Sequence, residues 1–209
     1  MAIPDGVSTL RGRTTGGEIR SVADPSVTPS IDPALGSVLV VAYAALLLPA
    51  AWHKIRDLAV FSAVLGAYRI FPRKWAAYVA PIVPLFEASV AIGLLLPVSR
   101  PLAAYGASVL LASYGLAIAL NLVRGRTDLD CGCTGPLERR PVAAWMVYRN
   151  ASLAGLVLAV ARPWDSREMS GLDVFSILAA LAVIVLIWLA VDRLLGQVAP
   201  RGAALKASR

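Results

Sequence analysis

The chain has 209 residues, of which 58% are apolar and only 16% charged, with a formal net charge of +7. Apolar residues gathered into long blocks exclude an ordinary soluble domain, since a run of about 18 or more reads as a bilayer span. The basic excess lies in short segments between those blocks, which orients helices in a lipid bilayer and leaves no soluble surface for nucleic acid.

Residues 1–33 lack the apolar core of a signal peptide and are rich in Gly, Ser, Thr and Pro, as in Thr14-Thr15-Gly16-Gly17. They bury too little to offset chain entropy, so a disordered tail is expected, followed by an uncleaved anchor. The first span is predicted over 35–52, Leu35 to Trp52, with the basic cluster His53-Lys54-Ile55-Arg56 after it. Asp57 to Phe71 is too short and mixed to span. Its apolar positions Leu58, Phe61, Leu65 and Tyr68 recur at helical spacing and predict a helix along the interface. A second span, 76–97, carries Pro81, Pro84 and one charge, Glu87. The third, 101–123, is uncharged and has a small-residue stripe, Ala104, Ser108 and Ala112, suited to close helix approach. The fourth, 142–161, contains Arg149 and Asn150, and the fifth covers 173–192. Residues 34–195 are thus expected to form an all-α integral membrane domain, a four-helix-bundle-like core plus a fifth helix, ahead of a basic tail at 196–209. A bundle is required because a bilayer leaves no other way to satisfy the backbone.

Five spans put the termini on opposite sides. The side holding the 53–75 and 124–140 loops and the C-terminal tail, here side B, carries fourteen Lys and Arg, Arg149 counted with it, against six on side A. The positive-inside bias therefore places side B in the cytoplasm and the N-terminus outside.

Polar residues gather in the side-B half. With a rise of about 1.5 Å per residue, Glu87 lies roughly 16 Å deep and Arg149 roughly 12 Å. A Glu87–Arg149 ion pair is expected, either fixing helix register or serving proton and electron chemistry. Lys54, Asn121 and Asn150 belong to the same half. His53 reads as an interface residue, and Trp52, Trp75, Trp145 and Tyr148 as an aromatic belt. No cofactor is demanded, although a quinone could stack in that belt.

Two cysteines, one residue apart, exclude a disulfide framework and gather all thiol chemistry between the third and fourth spans. Gly132 permits a tight turn between Cys131 and Cys133, whose Cα atoms can fall within disulfide range. So small a ring is strained and easily reduced, which suits exchange better than bracing. Arg124, Arg126, Arg139 and Arg140 would favour the thiolates, while Asp128 and Asp130 oppose them. Two other readings stay open: a soft-metal site such as Cu(I), and a structural turn ended by Gly135-Pro136.

The order of these features resembles the MauE family of methylamine-utilisation membrane proteins, within a broader DoxX-like group. The resemblance covers about 35–195 and rests on Lys54, on Tyr68 and Pro72, and on Pro84 with Glu87. It rests most on Arg124-Gly125 leading into Cys131-Gly132-Cys133-Thr134-Gly135, and then on Arg149-Asn150. The family's loop usually reads Cys-Gly-Cys-Phe-Gly, so Thr134 replaces an aromatic. The resemblance implies a multi-pass protein of the bacterial inner membrane that exchanges thiols and disulfides through Cys131 and Cys133. Its client would be an exported protein, as the small disulfide-rich subunit of methylamine dehydrogenase is for the family, and its partner thioredoxin-like. That process is periplasmic, whereas the charge count puts the loop in the cytoplasm; the two agree if reducing equivalents cross the membrane. The contrasting expectation is a non-catalytic membrane anchor or assembly subunit.

Overall fold

Apolar blocks of this length become helices because a helix satisfies every interior N–H and C=O within its own segment. The computed structural model describes residues 30–70, 72–126 and 142–198. Its helices are α1 (Pro33–Arg56), α2 (Leu58–Ala67), α3 (Arg73–Leu95), α4 (Arg100–Val123), α5 (Ala144–Val157) and α6 (Gly171–Val198), with a 3₁₀ turn at Leu158–Ala161 extending α5. No strand occurs among the described residues. Five of these segments are long and apolar enough to cross a membrane, and α2 is the short apolar helix between the first two. The chain is an all-α, five-span membrane protein.

Four spans form the core and one stands outside it. α1 packs on α3, α3 on α4, and α4 on α5, while the 3₁₀ turn closes against α1 and α4. Tyr43 and Leu47 of α1, Ala91 and Leu94 of α3, Ala104 and Leu111 of α4, and Val157 share one core. α6 touches α1, yet none of its apolar window is buried. Its outward Leu, Val and Ile side chains therefore face lipid. Lipid tails are as apolar as Leu, so close packing must hold the core together. Gly115 illustrates this: a Cβ there would lie 3.3 Å from the Asn150 Cβ, and its absence lets α4 and α5 approach.

Three expectations are corrected. The stripe Ala104, Ser108 and Ala112 does not stay on one face: Ala104 is buried, Ser108 half-buried and Ala112 exposed. Four-residue steps drift by about 40° each on a helix of 3.6 residues per turn. The buried line instead follows Ala104, Ala107, Leu111, Gly115 and Ile118. α1 runs four residues beyond its predicted end and takes Lys54 into its last turn. Lastly, Ile31 and Asp32 belong to the fold and not to the tail. Ile31 donates to the Pro163 carbonyl at 2.8 Å, and its own carbonyl accepts from Asp165 at 3.0 Å. The expected tails fall, apart from these residues and the end of α6, outside the described residues.

Asp32 caps α1, accepting from the Ala34 N–H at 2.8 Å. The Arg167 guanidinium grips Asp32 at 2.8 Å and Asp173 of α6 at 2.8 Å, so one fork joins the starts of two spans. Arg167 and the backbone N–H groups hold the Asp32 carboxyl below its ordinary value of 3.8. A carboxylate depressed in the folded state stabilises above its unfolded pKa and stops doing so as pH falls through the folded one. Arg167→Gln should therefore lower the thermal midpoint in detergent by a constant amount above about pH 5. The gap from the unmodified protein should shrink only below the ordinary carboxylate range, as a pH series of melting curves would reveal.

Candidate functional site

The side-B half of the core is built around two buried charges. Glu87 is 1% exposed and Lys54 6%, and Lys54 Nζ lies 2.5 Å from Glu87 Oε2. Lys54 Nζ also donates to the Tyr114 hydroxyl of α4 at 3.2 Å, and that hydroxyl interacts with Glu87 as well. Three helices therefore meet at one ammonium. Two rings flank it, Tyr114 at 4.9 Å and Phe61 of α2 at 5.7 Å from ring centre to nitrogen.

This arrangement replaces the expected Glu87–Arg149 pair. α3 packs on α1, whereas α5 packs chiefly on α4, so Glu87 faces Lys54 across the α1–α3 contact. Arg149 lies instead between Trp145, at 5.2 Å, and Trp188 of α6, at 5.6 Å. Its Nε is buried with no hydrogen-bond acceptor among the described residues. Depth along the helix axis was similar for Arg149 and Glu87, but azimuth decides which side chains meet. Lys54, read as a loop residue, is the true partner.

Glu87 lies about fourteen residues into α3, roughly 21 Å from its start, while Lys54 is in the last turn of α1. α1 thus stops well short of the start of α3, and α2 packs along α3 there. Residue 69 turns the chain after α2 with φ of 49°, a left-handed conformation uncommon for a residue with a Cβ. The Arg124 guanidinium donates to the carbonyl of that same Arg69 at 3.3 Å, tying the turn to the end of α4. Between α2, α3 and α4 remains a cavity of about 80 Å³, with apolar walls and with Lys54 and Tyr114 on its lining.

Asn121 and Asn150 are both buried, but neither joins the charged pair. Asn121 Nδ2 donates to the Ala117 carbonyl at 3.0 Å, and Asn150 Nδ2 to the Met146 carbonyl at 2.8 Å. Asn121 controls how the chain leaves α4. Gly125, with φ of 70°, follows the cap, the Gly125 N–H reaches Leu122, and the Arg126 N–H reaches the Asn121 carbonyl at 2.9 Å. This is a Schellman motif, and the left-handed position explains why glycine follows Arg124. The Arg126 guanidinium adds a bond to Asn121 Oδ1 at 3.2 Å. Where the chain returns, Val142 is buried with Tyr68, Ile118 and Met146. Cys131, Gly132, Cys133 and Gly135 lie between these two anchors and outside the described residues. Trp52, Trp75 and Tyr148 are exposed, as an aromatic belt requires, and so is His53.

Tyr114, Phe61 and Trp188 escaped the sequence reading as site residues. A phenolic hydroxyl within an uncharged span, a feature shared with Tyr105, was the available signal for Tyr114. Nothing in the sequence distinguishes Trp188 from other interfacial tryptophans.

A bundle of five apolar spans with a buried ion pair toward one end defines a multi-pass membrane protein with a polar site in one half of its core. Residues 32–163 match the profile of the family described as Methylamine utilisation protein MauE, and the chain belongs to that family. It is 37% identical over 169 residues to the Methylamine utilization protein MauE of Methylophilus methylotrophus, covering 79% of this chain and 88% of that one. The namesake from Paracoccus denitrificans is 38% identical over 132 residues, 63% of this chain and 70% of that one. No solved structure matches the chain significantly. The matched profile ends before α6 begins.

Removing one member of a buried pair strands the other charge in a low-dielectric core, which costs about 3–5 kcal/mol. Lys54→Met or Glu87→Leu alone should destabilise the protein on that scale. The double variant should recover most of the loss, as unfolding titrations in mixed detergent micelles would measure.

Proposed function

We propose that this chain is a membrane thiol–disulfide exchange protein that supports disulfide formation in an exported client, in the setting of methylamine utilisation. The printed description of its family and relatives supplies the setting. The observation that carries the mechanism is the placement of the two cysteines of the chain. They lie one residue apart in the connection between α4 and α5, which follows the Asn121–Arg126 cap and precedes the buried Val142. A pair so close in sequence forms a small, strained disulfide that favours transfer to a thioredoxin-like partner. The reacting groups are Cys131 and Cys133, with Gly132 and Gly135 shaping the segment. Lys54, Glu87, Asn121, Arg149 and Asn150 act as supporting groups that fix the helices framing it.

Replacing Cys131 or Cys133 by Ser should abolish client maturation while leaving membrane insertion and abundance near normal. With only one cysteine retained, a mixed disulfide with the partner should accumulate and be identifiable by mass spectrometry. The anchor reading draws support from the two buried asparagines, whose amide N–H groups bond within their own helices as purely structural residues would. It predicts that the double-serine variant matures its client normally.

Charge bias supports an orientation with the N-terminus outside and side B in the cytoplasm of the bacterial inner membrane. Reporter fusions after Arg126 and after Arg209 should both give a cytoplasmic signal. An external signal at both would reverse the orientation and leave the five spans intact.

A further inference from the structure

Arg149 carries its charge into a membrane span without a counter-charge. Glu87 is taken by Lys54, and Asp32 and Asp173 by Arg167. Among the described residues, the Arg149 guanidinium meets the rings of Trp145 and Trp188, and its buried Nε has no acceptor. From this geometry we infer that Arg149 holds the phosphate of an anionic phospholipid of the side-B leaflet, beside the stretch of α6 that stands off from the core.

Depth and direction come first. The span Ala144–Ala161 has 18 residues, a length of roughly 27 Å against a hydrocarbon thickness of about 30 Å. Arg149 follows the start of α5 by five residues, so its Cα lies about 8 Å inside that edge. Helical side chains lean toward the helix N-terminus, which for α5 is the side-B end. Trp145, one turn nearer side B, lies 5.2 Å from the guanidinium, as that lean requires. A side chain of this length brings its charged tip to the level where lipid phosphates begin.

α6 leaves room for the lipid. Ile177, Ala180 and Leu181 are half-buried, and from 182 to 191 the helix is exposed throughout. Its first half therefore packs on α1, while its second half approaches the core at Trp188, itself 44% exposed. Arg149 is half-buried. Its Nε is sealed off, whereas neither terminal nitrogen is among the buried atoms without a partner, so both are reachable from this gap.

Two parallel N–H groups match two oxygens of a phosphate diester, the pairing that a guanidinium makes best. Charge then selects among lipids. A phosphatidylglycerol headgroup neutralises the guanidinium, whereas phosphatidylcholine brings its own cation to a site already positive. An acyl chain alone offers no acceptor. The bound lipid would fill the gap beside Trp188 and tie α6 to the core. Nothing in this site depends on the cysteines.

The test uses the full chain, stripped of co-purified lipid in mild detergent and titrated with phosphatidylglycerol or phosphatidylcholine of the same chains. Native mass spectrometry counts the bound lipid. One phosphatidylglycerol should bind about tenfold more tightly than phosphatidylcholine, or better, and raise the thermal midpoint. Arg149→Gln should abolish that preference. Arg149→Lys should weaken binding severalfold, because one ammonium lacks the paired donors. Arg56→Gln, at an exposed basic residue of the same side, should bind as the unmodified chain does. If the Gln variant does not fold, the Lys variant and the Arg56 control decide. Equal retention of both lipids, unchanged binding in Arg149→Gln or Arg149→Lys, or an equal loss in Arg56→Gln would overturn the site in favour of a solvated arginine or diffuse surface charge. Displacement by millimolar inorganic phosphate would overturn the lipid in favour of a free anion. A lipid-independent dimer that Arg149→Gln dissociates would overturn it in favour of a second copy covering α6.

Discussion

Burying an ammonium and a carboxylate inside a membrane protein is tolerable only when each compensates the other, and that requirement organises the side-B half of this bundle. Lys54 sits in the last turn of α1, and Glu87 more than halfway along α3. Their contact fixes where α1 must stop relative to α3. The remaining length of α3 would lack a neighbour at that end, and α2 supplies one. Tyr114 brings α4 to the same point. Removing the pair's charge balance would thus disturb three helices and the cleft between them, well beyond one local contact.

The two ends of the connection between α4 and α5 are held by that frame. α4 ends in a Schellman motif at Gly125, reinforced twice by Arg126 acting on Asn121. The return to α5 is pinned at Val142 against Tyr68 of the α2 end and Ile118 of α4. Both anchors stand on the elements that border the cleft.

At the opposite side the structure relies on exposed electrostatics. Arg167 bridges Asp32 and Asp173 and so ties the first span to the last. α6 needs such a tie because it contributes no buried face to the core. Further along it meets the core again through Trp188, whose ring lies 5.6 Å from the Arg149 guanidinium, with Trp145 at 5.2 Å. Arg149 is therefore a link between the four-helix core and the outer helix, in place of a partner for Glu87.

Long apolar blocks by themselves determined that this is a five-span helical membrane protein, because backbone groups in lipid have only one local solution. The helical character of α2 was readable from Leu58, Phe61, Leu65 and Tyr68, since helical spacing is a one-dimensional signal. The gathering of Lys54, Glu87 and Asn121 in one half of the bundle was readable from depth, which residue rise alone estimates. Pairing was not. Glu87 could be assigned to Arg149 from depth, yet which charges meet depends on the azimuth of each helix and on which helices are neighbours. Packing α1 on α3 and α5 on α4 settles both. The same reason explains why Ala104, Ser108 and Ala112 looked like one face but were not, and why the role of Tyr114 emerged only in the fold. Periodicity along one helix is written in its sequence, whereas contact between helices exists only once all of them are packed.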